Sequence, residues 1–474
     1  MNPDILADLV EKKKIFKLKH QLYYVLAFDE IYVRKNLVFD KRTGELVGFV
    51  KLDELEEELT ALNRELHDEL SGVVVNTTKP QRKPVDKMLC FLLTGICNNL
   101  KAVVACYPRA STSKEKLHGI VWEVVSTLER NGFHINCVVC DGASVNRGFI
   151  QMHEPITKTA SGVVFDTINP WSGKPLYFMS DPPHLLKTTR NGLYSSGRLS
   201  RGKGKGCIRS LQKGGQQMLW STIVGLYEEE KDFNLRKLYK LNSEDIFINS
   251  YSAMRVSLAA HVLSRSLAEA ISKKFKGKFS QFSKFLDIMN DFFDMTNGQH
   301  SFQAARSRIE NFKSYSDVND ARFAKMEEMW QFFEEWKSET KALNLTANEK
   351  AKRLLSAETL QGLERTMKGF TAAVKYVLTE GKDEEEKPYI NARVYSQDPL
   401  ENYFSSMRAK FGGNRHPDST QVLQGQVSLH VQKDWAFRSR KRSNCADSGT
   451  RFSIKDLNAP LPKRPKARRR LETA

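Results

Sequence analysis

Leu22-Tyr23-Tyr24-Val25-Leu26-Ala27-Phe28 is an aromatic, apolar run that stops at Asp29-Glu30. Its composition and length read as a buried strand. A carboxylate at the end of such a strand is either a turn residue or a site residue. Ile31 to Phe39 resumes strand character, Asp40-Lys41-Arg42-Thr43-Gly44 is turn chemistry, and Glu45 to Leu52 reads as the returning strand.

Leucines 55, 59, 62, 66 and 70 recur at helical spacing among acids, and Asn76 to Asp86, with Pro80 and Pro84, reads as a loop. Met88 to Leu93 and Lys101 to Tyr107 read as one further, irregular β element. Lys114 to Asn131 is helical and closed by Gly132, and His134 to Cys140 is a strand ending at Asp141-Gly142. Pro175 to Ser180 is a strand ending at Asp181, with a helix opening at Pro183. That order predicts an α/β ribonuclease-H-like catalytic domain. From Leu211 to about Thr379 nearly everything reads as helix, so a mostly α-helical insertion domain interrupts it. Gly381 to Pro388 is a charged linker, Asp398 to Lys410 is helical, and the end is polar and basic. The expected division is 1–189 and 391–435 for the catalytic domain, 190–390 for the insertion, and 436–474 for a basic disordered tail.

The 474 residues carry 74 Lys+Arg against 56 Asp+Glu, a net charge of +18, which points to a polyanionic partner, nucleic acid before membrane. No apolar run approaches the ~20 residues of a membrane helix, and the acidic start is unlike a secretory signal, so an intracellular protein is expected. Seven cysteines are scattered, and the close pair Cys137 and Cys140 reads as two small strand residues. With no other Cys/His cluster at ligand spacing, metal chemistry here would use carboxylates.

Asp29, Asp141 and Glu401 are those carboxylates: two at strand ends, one on the helix after the insertion. Three converging acids repel one another unless hard cations such as Mg²⁺ neutralise them. Two such ions would serve phosphodiester transfer. From the residues alone Asp181 is a rival for the second position.

Several strings resemble P element-like transposases and their THAP-family relatives: Phe28-Asp29-Glu30, Val138 to Asn146 around Asp141, Ser180-Asp181-Pro182-Pro183-His184-Leu185-Leu186-Lys187, and Ser396 to Arg408 with Glu401. They stand in the family's order over about residues 20 to 435. The resemblance implies a transposase core that cleaves and joins DNA strands, with Asp29, Asp141 and Glu401 as catalytic, metal-holding triad and Asp181 structural. It implies a GTP-binding insertion in which GTP acts in assembly. Met289 to Asp294 is similar to the central guanine motif, with Asn290, Phe293 and Asp294. Lys240, the pair Arg255-Val256 and Asp398 resemble further nucleotide contacts. The pattern departs at Arg255, where the family carries Lys, turning a point charge into a planar fork.

Transposon ends and target DNA, GTP and a homo-oligomer are the partners implied. The basic run Pro462 to Arg470 reads as a nuclear import signal. Arg408, Lys410 and Arg415 are candidate contacts for the scissile strand, and Arg198 to Lys213 is equally a solvated loop or a DNA contact. No Cys/His finger precedes Asp29, so the chain is expected to lack the family's THAP zinc finger. The alternative is a domesticated DNA- or chromatin-binding protein without transposition activity.

Overall fold

The structure is a computed structural model describing residues 1–40, 45–48, 84–109, 113–199, 208–233, 236, 238–298, 309–414 and 416–431. The leucine-spaced segment 55–70, most of the glycine-rich basic loop, Arg415 and the tail lie outside those residues.

The strands are β1 (Tyr23–Tyr32), β2 (Val38–Asp40), β3 (Glu45–Val47), β4 (Lys87–Gly95), β5 (Lys101–Arg109), β6 (His134–Cys140), β7 (Asp166–Ile168) and β8 (Pro175–Ser180). Six form one sheet in the order β5-β4-β1-β6-β8-β7. The central strand β1 pairs antiparallel with β4 and parallel with β6, and β6 pairs parallel with β8.

Two sequence expectations change here. The antiparallel neighbour of β1 is β4, with β5 beyond it, rather than the 31–52 hairpin, because residues 88–107 are two antiparallel strands rather than one. Asn98 makes the turn between them, accepting the Leu100 N–H at 2.8 Å and donating to the Gln21 carbonyl at 2.5 Å. A Cβ at Gly95 would stand 1.8 Å from Asn98 Oδ1, so this turn needs glycine there. The pair β2 and β3 forms a separate two-stranded sheet. Strand β1 also runs three residues past Asp29 instead of stopping at Phe28.

Side chains of β1 alternate between two cores, as a strand buried on both faces must. Tyr24, Leu26 and Phe28 meet α1 (Pro3–Lys13), α2 (Lys114–Arg130) and α3 (Ser144–Gln151). Tyr23, Val25 and Ala27 join the larger core shared with the later helices. Cys137 and Cys140 fall into different cores, consistent with strand residues of opposite orientation.

After α4 (Pro182–Tyr194) come α5 (Trp220–Glu230), α6 (Ser243–Ile246), α7 (Val256–Val262), α8 (Arg265–Lys274), α9 (Ser280–Thr296), α10 (Ala321–Ala342) and α11 (Ala347–Arg353). The aromatic face of α10, Phe323, Met326, Trp330, Phe333 and Trp336, is buried core. The chain returns to the sheet with α12 (Ala357–Glu380), inside the span read as insertion. Thr366 Oγ1 accepts the Ser180 N–H at 3.0 Å and donates to its carbonyl at 2.7 Å. A Cβ at Gly369 would stand 2.5 Å from the Phe178 carbonyl, so only glycine lets α12 approach β8 this closely. The last helices are α13 (Asp398–Lys410) and α14 (Ser419–Val431).

Candidate active site

Register brings the first two carboxylates together. Strands β1 and β6 pair from Tyr23 opposite His134 to Ala27 opposite Val139. Two residues further on stand Asp29 and Asp141, on the same face because side chains alternate with period two. Past Ala27, β1 keeps only β4 as partner, with Asp29 opposite Cys90, and the β6 side opens. A cleft of about 320 Å³ lies there, lined by Phe28, Asp29, Glu30, Lys87, Arg109, Asp141 and Asn146.

Asp141 is held from α3: its Oδ1 accepts the Ala143 N–H at 2.9 Å and the Asn146 side-chain amide at 2.6 Å. Asp29 accepts the N–H of Glu30 at 2.7 Å. Burial first, then the charges of Asp141 and Glu401, push the Asp29 carboxyl up to about 7, against that one N–H. Those contributions place Glu401 within electrostatic reach of Asp29.

Glu401 rides in the first turn of α13, whose Leu400, Tyr403, Phe404 and Met407 pack on Ile31, Met88, Cys90 and Leu92. Gln397, at the helix start, fixes its approach. Its backbone N–H donates to Asp181 Oδ1 at 2.8 Å, and its side chain donates to the Phe28 carbonyl at 2.6 Å. Its own carbonyl accepts the Glu401 N–H at 3.1 Å. One residue therefore ties the Glu401 helix to the middle of β1 and to the end of β8. Sequence reasoning missed it; the only signal was the helix-starting Asp398-Pro399 that follows.

Asp181 is buried with both oxygens engaged, the second accepting the His184 N–H at 3.0 Å and capping α4. Burial and the neighbouring Asp398 push its carboxyl up to about 8 even though the Gln397 N–H favours the ionised form. His184 is a second residue that sequence reasoning left without a role. It is half-buried, with Cδ2 4.0 Å from the Cβ that Gly142 would carry. Burial and Lys187 hold its imidazole below the usual range, while Asp141 and Glu401 oppose them. Arg408 faces the same carboxylates; burial lowers its guanidinium, and Asp29 and Glu401 support its charge.

The donor set suits a hard divalent cation, since three carboxylates share one neighbourhood and offer oxygen ligands. Among the described residues no three His, Cys, Asp or Glu side chains close around a single point. Asp29 and Asp141 line an open cleft, with Glu401 near Asp29.

The residues that resemble nucleotide contacts are partly assembled. Asn290 and Asp294 lie one turn apart on α9, joined by a 2.8 Å hydrogen bond. Burial pushes Asp294 up to about 6, opposed by the Asn290 amide, with Arg265 and Lys240 also favouring its ionised form. Lys240 is thus near it, and Phe293 packs half-buried beside it. Arg255 is paired at 2.6 Å with Glu244, and Val256 opens α7. Asp398 opens α13. It pairs with Arg393 at 3.5 Å, and burial, with Glu401 nearby, pushes it up to about 6.

Several basic residues of the 187–213 stretch have internal tasks. Arg190 is fully buried and donates to the Ser252 and Ala253 carbonyls at 3.1 and 2.9 Å. Arg209 caps the end of α11 through the Leu354 carbonyl at 2.6 Å, and Lys213 is buried against Glu339 at 2.9 Å. These three hold the fold rather than a solvated DNA-facing loop.

Comparison with known proteins agrees with this architecture. The family model for the TNP-like RNase H N-terminal domain matches residues 1–154, and that for the TNP-like GTP-binding insertion domain matches residues 183–309. The transposable element P transposase of Drosophila melanogaster is 22% identical over 317 residues, covering 63% of this chain and 35% of the relative. The chain therefore spans about a third of that curated relative's length. A chain of the Drosophila P element transposase strand transfer complex superposes with a TM-score of 0.63 at 19% identity, over 92% of this chain and 84% of its own. With both domains matched in the same order and the same fold recovered, the chain belongs to the P element-like transposase family.

Proposed function

We propose that this chain is a transposase core that cleaves and joins DNA strands using divalent cations, with GTP as an assembly cofactor. The observation that carries the reading is the register of β1 and β6, which sets Asp29 and Asp141 together on one cleft, with Glu401 within electrostatic reach of Asp29. Such a set is unfavourable when empty and favourable around cations. Asp29, Asp141 and Glu401 would hold two Mg²⁺, which when bound supply charge stabilisation to the attacking and leaving oxygens of a phosphodiester displacement.

The chain's own residues do the rest. Asn146 and the Ala143 N–H fix the orientation of Asp141, and Gln397 sets the distance of α13 from β1. Arg408, beside the carboxylates, offers a cation to the backbone phosphate without reading sequence. The DNA reading is supported by the strand transfer complex that the fold matches and by the +18 charge. The GTP reading is supported by the insertion-domain match and by Asp294, whose ionised carboxylate can accept the paired N–H donors of guanine that adenine lacks. Nuclear residence follows from the basic run 462–470.

The test is strand cleavage by the full chain on DNA carrying related terminal repeats, with Mg²⁺ and GTP. Nicking at the repeat ends that stops on chelation is expected. Uncut DNA under these conditions, with folded protein bound to it, would overturn the catalytic reading.

A further inference from the structure

Behind Asp29 lies a pair of thiols. Cys90 and Cys106 are direct antiparallel partners across β4 and β5, with sulfurs 3.0 Å apart. Partners of this kind have Cα atoms about 4.5–5.5 Å apart, within the span a disulfide bridges. Cys90 is fully buried, while Cys106 is half-buried and so open to a small oxidant.

Both thiols sit in the seat of the Glu401 helix. Cys90 belongs to the cluster that holds Leu400, Tyr403, Phe404 and Met407, and Cys106 packs against it. The Tyr403 hydroxyl, two residues beyond Glu401, lies near Cys106. Cys90 is also the register partner of Asp29. Neither thiol has a part in the proposed chemistry.

We propose that Cys90 and Cys106 form a redox modification site, which a hydroperoxide converts to a cross-strand disulfide that unseats α13 and disturbs the carboxylate cluster. Cys106, the more accessible sulfur, attacks as thiolate. Its S–O bond forms as the peroxide O–O bond breaks, and hydroxide leaves. Cys90 sulfur then attacks the sulfenic sulfur, forming S–S and breaking S–O. The departing hydroxide takes the Cys90 proton as water. Two thiols lose two electrons in all, and one hydrogen peroxide becomes two waters. Cys90 is fully buried, so it serves as the resolving rather than the attacking group.

The sulfurs must close from 3.0 Å to about 2.05 Å. A close-packed core does not absorb such a movement silently. Tyr403 also loses the thiol near it. Displacement of a catalytic group by an ångström costs up to ~10²-fold in rate. Only this last consequence rests on the catalytic reading of Glu401.

The experiment treats the full chain with hydrogen peroxide and maps peptides without reduction, alongside amide hydrogen exchange. Expected are a Cys90–Cys106 linked peptide, faster exchange over residues 398–410, slower strand cleavage, and reversal of all three by dithiothreitol. Cys106→Ser, and Cys90→Ala in case the first variant folds poorly, should show neither link nor exchange change. Intact thiols at 90 and 106 while Cys97 is oxidised would overturn the proposal, as would a link that leaves exchange over 398–410 unchanged. An absence of cleavage in both redox states would count against the transposase reading alone, because the peptide and the exchange report without activity.

Discussion

The carboxylate cleft and the nucleotide segment of the insertion are built on opposite principles. At the cleft, β1 and β6 bring like charges together and α13 adds a third nearby: burial first, then Asp141 and Glu401, push Asp29 up to about 7. In the insertion, several of the expected ligand contacts are paired within the protein. Asn290 bonds Asp294, Arg255 bonds Glu244, and Asp291 is bridged by Arg265 and Lys325. Where like charges share one neighbourhood, a bound cation would offset their repulsion. A region of satisfied pairs must exchange partners to bind, so its affinity is a difference between two sets of hydrogen bonds.

Sharpening that contrast begins with the largest effect. Glu401→Gln keeps the size of the side chain and removes the charge, so strand cleavage should fall by roughly 10³-fold or more while DNA binding persists. Asp181→Asn keeps an acceptor for one of the two backbone N–H groups and should leave most cleavage in place. Loss of cleavage in Asp181→Asn with folding intact, or full activity in Glu401→Gln, would exchange the two residues' assignments.

In the insertion the expected effect is smaller. Asp294→Asn exchanges two acceptors for an acceptor and a donor, which should weaken GTP binding by roughly 1–3 kcal/mol. XTP, with an oxygen at purine position 2, should gain relative to GTP. Calorimetry on the whole chain checks this, since Asp398 lies outside the helical segment. Equal binding of ATP and GTP would break the guanine reading.

The smallest effect is in stability. The folded-state pKa of Asp29 is raised, so its contribution is present in full below about pH 4 and is lost as pH rises through about 7. For the cation-free chain, the melting temperature of wild type relative to Asp29→Asn should therefore fall across that window. A relative melting temperature that rises with pH would contradict the sign.

Much of the catalytic half was legible because strand ends and helix starts leave marks in sequence. The strand 134–140, the strand 175–180 and the helix 398–410 have the bounds that apolar runs, Asp-Gly and Asp-Pro suggested. The hairpin was misplaced because β4 and β5 are turned by Asn98 and Gly95, whose tertiary bond to Gln21 no local pattern announces. Gln397 was invisible for the same reason: its partners, Phe28 and Asp181, are 369 and 216 residues away. In the insertion, helical periodicity identified the core face of α10. It could not tell that Arg190, Arg209 and Lys213 turn inward, since a basic run reads alike whether solvated or spent on buried carbonyls.

The central claim is that Asp29, Asp141 and Glu401 act as one cation site, and titration of the DNA-free full chain with Mn²⁺ by calorimetry tests it most directly. At pH 6 binding should release protons, seen as a dependence of the heat on buffer ionisation enthalpy, because the cation ionises Asp29. Asp29→Asn should abolish that release, and Asp141→Asn and Glu401→Gln should each weaken binding. Mn²⁺ affinity and proton release unchanged in all three variants would contradict the account.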